Sequence, residues 1–374
     1  MIPAAHPAEA MIAAQAAAAA AAATARLTPP PGRVPIHLPL SPGRVAIRLP
    51  VVVIVTSSPP MFSRPRARVP GGWRAIRQGD NDWRMRILLT GHAGLAGAAI
   101  RRLLAASGFD VRGFDLADGA DLRDRGDVER AAAGSDAIVH AGALANDKAG
   151  TPEEIFETNV LGTWHVLRAA RLAGVARVVS FSSVQVFGIA EGEQPPVYLP
   201  VDDDHPRNAA RPYGVSKCIA EDLCAGVTAT SGMTTVCLRP AHIWSPEHYV
   251  QVTNQRRADP ASEYEPFWEF GAFVDVRDVA AAVLAALHRP GNGHLRATLC
   301  APDISATAPS RELVRRLWPA VPWRGGREYV ADPWTALLRS RASEILGWEP
   351  RYTWRRWLAE SASPGASGGR GPGR

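Results

Sequence analysis

The chain has 374 residues, of which 46% are hydrophobic, and this is enough for one large α/β domain or two small ones. The net charge of +6 is concentrated in residues 1–84, where ten arginines against three acids give a net of +7, so residues 85–374 sum to −1. A near-neutral body argues against DNA or RNA as a partner, and four cysteines without a CxxC pair indicate thiols of a reducing compartment, which predicts a cytoplasmic protein.

Residues 1–84 differ in composition from the rest of the chain. They contain an alanine run from Ala16 to Ala23, many prolines, and one apolar run, "VVVIV" at 51–55, that is far too short to span a bilayer. No basic segment leads into an apolar one, as a secretory signal requires. We therefore predict a disordered low-complexity extension over 1–84, a biological start at Met85, no membrane association, and a flexible tail over 361–374.

The first predicted strand leads into a glycine-rich turn. "RILLT" at 86–90 is an apolar run typical of a buried parallel strand, and "GHAGLAG" leads from it into a helical pattern. Gly91 permits the tight turn, Gly94 lets a pyrophosphate approach the backbone, and Gly97 lets the helix pack close to the sheet. The N–H groups at the helix N-terminus then bind the anion. A glycine triplet alone would also fit an ordinary turn.

The next apolar segment ends at Asp115, about 20 residues beyond the glycine turn. A carboxylate at this place binds both ribose hydroxyls of an adenosine and repels a 2′-phosphate, which favours NAD over NADP. Asp115 alone would also fit a turn at a strand end. Together with the glycine spacing, it predicts a dinucleotide site with NAD as the cofactor.

Strands and helices continue to alternate along the chain. Strand patterns at 134–144, 175–184 and 233–244 alternate with helical patterns at 155–174 and 211–227. This alternation predicts an α/β fold of the Rossmann type, a doubly wound parallel sheet that binds ligands beyond the carboxyl ends of its strands.

Tyr213 and Lys217 lie four residues apart in a predicted helix, so their side chains share one face. Lys217 is one of only two lysines among the 42 basic residues. A nearby ammonium favours a phenolate over a phenol, and its compact head also reaches a ribose hydroxyl. Ser183, at the end of a predicted strand, is placed to hydrogen-bond the substrate oxygen that Tyr213 deprotonates. Taken singly, the pair also fits two surface residues, and the serine also fits a cap.

These segments together resemble the extended short-chain dehydrogenase/reductases, the NAD-dependent epimerase/dehydratase family, of the UDP-glucose 4-epimerase-like kind. The matching segments run in order through the chain: "TGHAGLAG" (90–97), "ADLRD" (120–124), "HAGA" (140–143), "NVLGT" (159–163), "FSSVQVFG" (181–188), "YGVSK" (213–217), "LRP" (238–240), "FVDVRDVA" (273–280) and "ASEILGWEPRYTW" (342–354). The resemblance implies four catalytic residues, Ser183, Tyr213, Lys217 and Asn159, of which Asn159 holds the active-site backbone and a water relay. It implies an NAD site formed by Gly91, Gly94, Leu95, Gly97, Asp115, Asp121, Leu122, Ala141, Gly142, Tyr213, Lys217 and Pro240.

The resemblance also implies how the chain is divided. An NAD-binding Rossmann domain is expected over 85–240. A smaller C-terminal substrate-binding α/β subdomain is expected over 241–360, with 271–287 returning to the Rossmann core. A homodimer is expected to form through the helices that contain Asn159 and Tyr213, and no metal ion is expected.

The activity that the resemblance implies is that of an NAD-dependent oxidoreductase or epimerase acting on a hydroxyl of a sugar or nucleotide sugar. Tyr213 takes the hydroxyl proton and a hydride passes to NAD. Two alternatives stay open: a net dehydrogenase or reductase of a smaller sugar acid or another secondary alcohol, and a non-catalytic NAD-sensing module.

Several positions depart from the family pattern or bear on the substrate. His92 replaces a usually small loop residue, which puts bulk near the phosphates, and "SSV" at 182–184 lacks the acid pair of the 4,6-dehydratases. The candidate substrate contacts besides Ser183 are His242 and Trp244, beyond a strand end, and a phosphate clamp of Arg256 and Arg257.

Overall fold

The computed structural model describes residues 84–189, 194–264 and 271–362. The extension predicted over 1–84, apart from Arg84, and the part of the predicted tail beyond residue 362 lie outside these ranges. No helix within them combines the length and the apolar character that crossing a membrane requires.

A parallel sheet forms the centre of the fold. The strands are β1 (Arg86–Thr90), β2 (Asp110–Phe114), β3 (Ala137–His140), β4 (Arg177–Phe181), β5 (Thr234–Pro240), β6 (His242–Trp244), β7 (Phe273–Asp275) and β8 (His294–Leu299). Six of them form one sheet in the order β2-β1-β3-β4-β5-β8, and β6 pairs with β7 in a separate parallel pair. The order reverses between β1 and β3, where such a sheet opens its ligand crevice.

Helices cover both faces of this sheet. They are α1 (Leu95–Ala106), α2 (Arg125–Ala132), α3 (Pro152–Phe156), α4 (Gly162–Leu172), α5 (Pro212–Ser231), α6 (Pro246–Ala258), α7 (Val276–His288), α8 (Ser310–Leu317), α9 (Glu328–Ala331), α10 (Ala342–Leu346) and α11 (Trp354–Ala362). A π-helical turn, Glu157–Leu161, joins α3 to α4. The helical pattern at 155–174 gave no sign of this turn, because side-chain periodicity does not distinguish one residue added to a helical turn.

The side chains of β1 show how the two layers form. Ile87 and Leu89 lie in the apolar core that contains residues of α1 and α7, whereas Leu88 lies in the opposite core with residues of α2, α4 and α5. All three are fully buried. Alternate side chains of a strand point to opposite faces, so a strand covered on both faces is apolar throughout. The prediction of a Rossmann-type doubly wound parallel sheet is therefore confirmed.

The single strand predicted over 233–244 is two strands in two sheets. β5 ends at Pro240, and β6 begins at His242 and pairs with β7 instead. Proline has no N–H to continue a ladder, so the chain leaves the main sheet at this point. The first two residues of the predicted tail, Ser361 and Ala362, belong to α11.

The C-terminal part packs around an aromatic cluster. Trp244, Tyr249, Phe273 and Trp354 are all at most 3% exposed and form one apolar cluster. Trp244 stacks on Phe273 at 4.4 Å between ring centroids. The side chain of Asp303 accepts hydrogen bonds from two backbone N–H groups at the start of α11, which fixes this helix to the cluster.

Candidate active site

A cavity of about 1030 Å³ opens at the carboxyl ends of the sheet strands. Its wall contains the residues that directly follow β1, β3 and β4, namely Gly91, Ala141 and Ser182, and the last residue of β5, Pro240. Small-molecule sites measure roughly 300–1,000 Å³, so this cavity has room for a dinucleotide and a second molecule beside it.

All twelve residues that the resemblance assigned to the cofactor line this cavity. They are Gly91, Gly94, Leu95, Gly97, Asp115, Asp121, Leu122, Ala141, Gly142, Tyr213, Lys217 and Pro240. The wall thus runs from the glycine turn to the first turns of α5 and the end of β5.

The three glycines of the turn differ in how much space surrounds them. Gly91 has a φ of +72°, and a Cβ on it would lie 2.5 Å from the backbone nitrogen of Gly142. A Cβ on Gly97 would lie 1.9 Å from the carbonyl oxygen of Gly91. A Cβ on Gly94, in contrast, would meet only that same oxygen at 3.5 Å, an ordinary contact. The fold therefore requires glycine at 91 and 97 but not at 94, so the open backbone at Gly94 fits close approach by a pyrophosphate.

Gly94→Ala is expected to leave the fold intact and to raise the Kd for NAD by about tenfold or more, because only a bound pyrophosphate would meet the new methyl group. Calorimetric titration with NAD and a thermal unfolding curve measure the two quantities. Gly226→Ala is the matched control: a Cβ there meets no atom within 4 Å in the described structure, so the Kd for NAD should stay unchanged, and the unfolding temperature should rise slightly because Gly226 lies inside α5. An unchanged Kd in Gly94→Ala would contradict a pyrophosphate at this place.

The two carboxylates predicted to contact the adenosine, Asp115 and Asp121, already have hydrogen-bond partners within the protein. Asp115 accepts hydrogen bonds from the backbone N–H groups of Ala93, at 3.1 Å, and Ala117, at 3.0 Å, and so ties the glycine turn to the end of β2. Asp121 pairs with Arg123, and the hydrogen bonds from Arg123 lower the pKa of Asp121. Arg123 also lines the cavity. The sequence did not predict it as a site residue, because no motif or spacing distinguishes it from the 39 other arginines of the chain.

His92 does not add bulk near the phosphates, contrary to the prediction. Its side chain turns away from the cavity and is 8% exposed. The ring occupies the space beside Gly113 of β2, where an added Cβ would come within 2.5 Å of it, and Nε2 contacts the carboxylate of Asp118. The absence of a side chain at Gly113 is what allows a histidine in the turn.

Tyr213 and Lys217 lie on one face of α5 and both line the cavity. Nζ of Lys217 lies 5.6 Å from the centroid of the Tyr213 ring and donates to the carbonyl of Phe181, the last residue of β4, at 2.9 Å. Burial lowers the pKa of Lys217 to about 8, so its ammonium persists at neutral pH. The arrangement places a buried positive charge beside the phenol.

Ser183 lies two residues beyond β4 and lines the same cavity. Its backbone is extended, and its Oγ accepts a hydrogen bond from the N–H of Gln185 at 3.2 Å, which begins a 3₁₀ turn, Val184–Phe187. Because this bond uses a lone pair, the hydroxyl proton stays available to donate to an oxygen in the cavity.

Asn159 positions the site and does not line the cavity. It is 2% exposed and lies in the π-helical turn. Its amide accepts from the N–H of Leu144 at 2.9 Å and donates to the carbonyl of the same residue at 3.0 Å, and it also donates to Oγ of Ser216. Asn159 thus holds the cavity-lining backbone after β3 and the helix of Lys217 together.

A buried histidine missed by the sequence reading supports this turn. His140, the last residue of β3, bonds Thr90 through Nδ1 at 2.8 Å and Thr163 through Nε2 at 3.0 Å. Thr163 in turn donates to the carbonyl of Asn159, and the N–H of Gly142 donates to Thr90. Burial lowers the pKa of His140 to about 3, so the ring is neutral and can accept at one nitrogen and donate at the other. The contacts of His140 with Thr90 and Thr163 join residues 50 and 23 positions apart in the sequence.

Of the predicted substrate contacts, Ser183 and His242 line the cavity and the other three do not. Trp244 is wrong as a substrate contact: it is 0% exposed, because its indole packs against Phe273 and Trp354 in the aromatic cluster. The predicted phosphate clamp is not formed at the cavity. Arg256 donates to Ser305 at 3.0 Å, and Arg257 is exposed on α6.

Further polar residues that the prediction omitted complete the wall near Tyr213. They are Asn146, Asp147, Lys148, Gln185, Arg211 and His248. Asp147 accepts a hydrogen bond from the backbone N–H of Tyr213 at 2.8 Å and so fixes the start of α5. A loop residue of this kind has no recognisable spacing to the helix that it contacts. Among the residues described by the structure, no cluster of three or more histidine, cysteine or acidic side chains is arranged to hold a metal ion.

Known proteins resemble this chain in sequence and in structure. The uronate dehydrogenase of Pseudomonas syringae pv. tomato is 33% identical over 166 residues, which are 41% of this chain and 58% of that protein. The UDP-glucose 4-epimerase of Streptomyces lividans is 28% identical over 310 residues, 70% of this chain and 91% of that protein. A short-chain dehydrogenase/reductase superfamily protein of Agrobacterium tumefaciens, solved with bound NAD, has a TM-score of 0.55 and 26% identity over 74% of this chain and 96% of its own.

The family model described as "NAD dependent epimerase/dehydratase family" matches residues 87–298, more than half of the chain. The chain spans less than two thirds of the uronate dehydrogenases that it matches, 58% and 59% of their lengths. The family match confirms the predicted resemblance, the prediction of an enzyme, and NAD as its cofactor. The chain belongs to the NAD dependent epimerase/dehydratase family.

Proposed function

We propose that this protein is an NAD-dependent oxidoreductase that oxidises a hydroxyl group of a sugar, with a free sugar acid as its favoured substrate. The observation that carries the proposal is the meeting of Tyr213, Lys217 and Ser183 with the glycine turn in one cavity. The cofactor end and the proton-transfer end of the reaction are then adjacent.

The proposed mechanism assigns one role to each side chain. Bound NAD would supply the hydride acceptor for the carbon that bears the reacting hydroxyl. Tyr213 takes the proton of that hydroxyl, so a C–H and an O–H bond break and a carbonyl forms. Ser183 donates a hydrogen bond to the same oxygen and holds it toward Tyr213. The ammonium of Lys217 stabilises the phenolate that accepts the proton.

The charges near Tyr213 favour an acidic substrate. Lys148 and the ammonium of Lys217 both belong to the cavity wall. Two carboxylates of the same wall, Asp147 and Glu154, accept hydrogen bonds from the backbone N–H groups of Tyr213 and Thr151. Ammonium groups beside Tyr213 suit a sugar carboxylate. The uronate dehydrogenase relatives support this choice.

A nucleotide-sugar epimerase is the second candidate, because the Streptomyces lividans UDP-glucose 4-epimerase matches over 91% of its length. An epimerase would use the same first half-reaction, and the hydride would then return from the reduced cofactor to the opposite face of the sugar carbonyl. Arg256 and Arg257 lie away from the cavity, which weakens the case for a diphosphate clamp built from them.

The experiment is to supply the purified protein with NAD and, separately, D-glucuronate, D-galacturonate, UDP-glucose and UDP-glucuronate. Accumulation of NADH with a uronate supports the proposal. Inversion of a UDP-sugar without NADH accumulation would support the epimerase instead. If no member of this panel is oxidised or inverted, the proposal of a sugar substrate fails.

We also propose a homodimer formed through α4, the preceding π-helical turn, and α5. Phe156 at the end of α3, Leu161 in the π-helical turn and Trp164 in α4 are 37%, 43% and 43% exposed, and α5 packs beside these elements. An exposed apolar surface of this kind indicates a protein contact. We expect Trp164→Glu to convert a dimer into a monomer in sedimentation velocity, whereas Val330→Glu, at a site 75% exposed on α9, should not. A monomeric wild-type protein would contradict this proposal.

We propose a cytoplasmic location because the four cysteines, all within the described residues, form no disulfide bonds. All four cysteines are free, and Cys224, Cys237 and Cys300 are buried. Free buried thiols are typical of proteins kept in a reducing compartment.

A further inference from the structure

His248 is held in one orientation at the cavity wall by the start of α6. It is the third residue of that helix, and its Nδ1 lies 3.1 Å from the backbone N–H of Ser245, the N-cap residue. The hydroxyl of Ser245 lies 2.9 Å from the same nitrogen and also contacts the carboxylate of Glu247. The side chain therefore completes a capping box, in which the third helical residue accepts from the N-cap N–H.

This contact fixes the position of the ring proton. A backbone N–H can only donate, so Nδ1 must accept, and the proton of a neutral ring is on Nε2. Among the residues that the structure describes, Nε2 has no hydrogen-bond partner. Since His248 lines the cavity, this N–H is a donor directed at whatever the cavity holds.

The neighbouring histidine limits how the ring moves. His242 packs against His248 edge to face, with 5.7 Å between ring centroids and 78° between ring planes. Partial desolvation by the surrounding cavity wall lowers the pKa of His242 to about 4, and the adjacent His248 contributes to this shift. The imidazole of His242 is therefore uncharged near neutral pH. Both residues follow β5, the strand that brings Pro240 into the cavity, so they stand at the end opposite the adenosine.

We propose that His248 is a specificity-determining residue whose Nε2–H donates a hydrogen bond to a hydroxyl or carboxylate oxygen of the sugar substrate. This inference rests on the proposed function, because it requires a sugar to bind beside Tyr213. His248 does not take part in proton transfer. It contributes equally to the bound substrate and the transition state, so its loss acts on KM and leaves kcat nearly unchanged.

Three substitutions separate this role from helix capping. Glutamine and glutamate both serve as the third residue of a capping box, but only glutamine keeps an N–H donor. We expect His248→Gln to keep the KM for D-glucuronate within about threefold of wild type, and His248→Glu to raise it by about tenfold or more, as for a buried acceptor left unpaired. His248→Ala, which lacks the donor without adding charge, should raise KM similarly. The Kd for NAD should stay unchanged in all three.

The outcomes separate this inference from the function on which it rests. If wild type oxidises D-glucuronate and all three variants share its KM, His248 only caps the helix and the inference is overturned. A large fall in kcat without a rise in KM would overturn it equally. If wild type oxidises none of the four sugars named above, the proposed function fails, and the inference fails with it. Thermal unfolding of each variant shows that the compared proteins are folded.

Discussion

Tyr213→Phe is expected to lower kcat by about a thousandfold while the Kd for NAD changes by less than about threefold. The substitution removes only the hydroxyl and keeps the ring, which is 7% exposed and packed in the wall beside Lys217. Without the phenol no group at this position can take the substrate proton, and the ammonium of Lys217 has no phenolate to stabilise. Steady-state NADH formation and calorimetric titration with NAD measure the two effects.

Tyr198→Phe provides the matched control. Tyr198 is also 7% exposed, but its hydroxyl donates to Asp202 and it does not line the cavity. Loss of that hydroxyl should leave kcat unchanged. Wild-type turnover in Tyr213→Phe would exclude this residue as the base. NAD binding without turnover of any sugar by wild type would favour the NAD-sensing module instead.

The parts of the site that lie within one element were predictable from the sequence. Gly91, Gly94 and Gly97 belong to a single strand-turn-helix unit, and Tyr213 and Lys217 lie one turn apart in one helix. Spacing determines the geometry within such units. That these units meet in one cavity follows from the parallel sheet, because all of its strands end at the same edge.

The parts that were wrong or missed depend on contacts between distant segments. Trp244 was expected to face a substrate, but β5 ends at Pro240, β6 pairs with β7 in a second sheet, and the indole is buried against Phe273 of β7. His92 was expected near the phosphates, yet Gly113 of β2 provides a place for its ring. His248 was missed although "SPEH" at 245–248 has the N-cap serine and following proline of a helix start.

A buried ion pair behind the active site is a further feature of this kind. Arg239 of β5 and Glu221 of α5 are each 1% exposed and form two hydrogen bonds, at 2.7 and 2.8 Å. Ser182, next to Ser183, also donates to Glu221 at 2.7 Å. Burial opposes the charge of Glu221, but the hydrogen bonds and charge of Arg239 outweigh it and lower the pKa of Glu221. The pair therefore joins α5, β4 and β5 where they meet the cavity.

Glu221→Ala is expected to lower the free energy of unfolding by about 3–5 kcal/mol, because it leaves the buried guanidinium of Arg239 without a counter-charge. Arg207 and Arg296 also lie 3.5 and 3.7 Å from the same carboxylate and lose this partner. Urea unfolding of the full chain measures the loss. Asp222→Ala is the control, because this adjacent carboxylate is 62% exposed and its pair with Arg207 is worth about 0–1 kcal/mol.

A double variant tests whether the loss comes from the uncompensated charge. Glu221→Leu combined with Arg239→Met removes both charges and keeps much of the volume, so it should be more stable than Glu221→Ala by about 1–4 kcal/mol. Arg207 and Arg296 are 27% and 43% exposed and can turn to solvent once Glu221 is gone, which the guanidinium of Arg239 cannot. If the double variant is no more stable than Glu221→Ala, the unpaired charge is not the cause, and lost packing or the lost bond to Ser182 accounts for the effect.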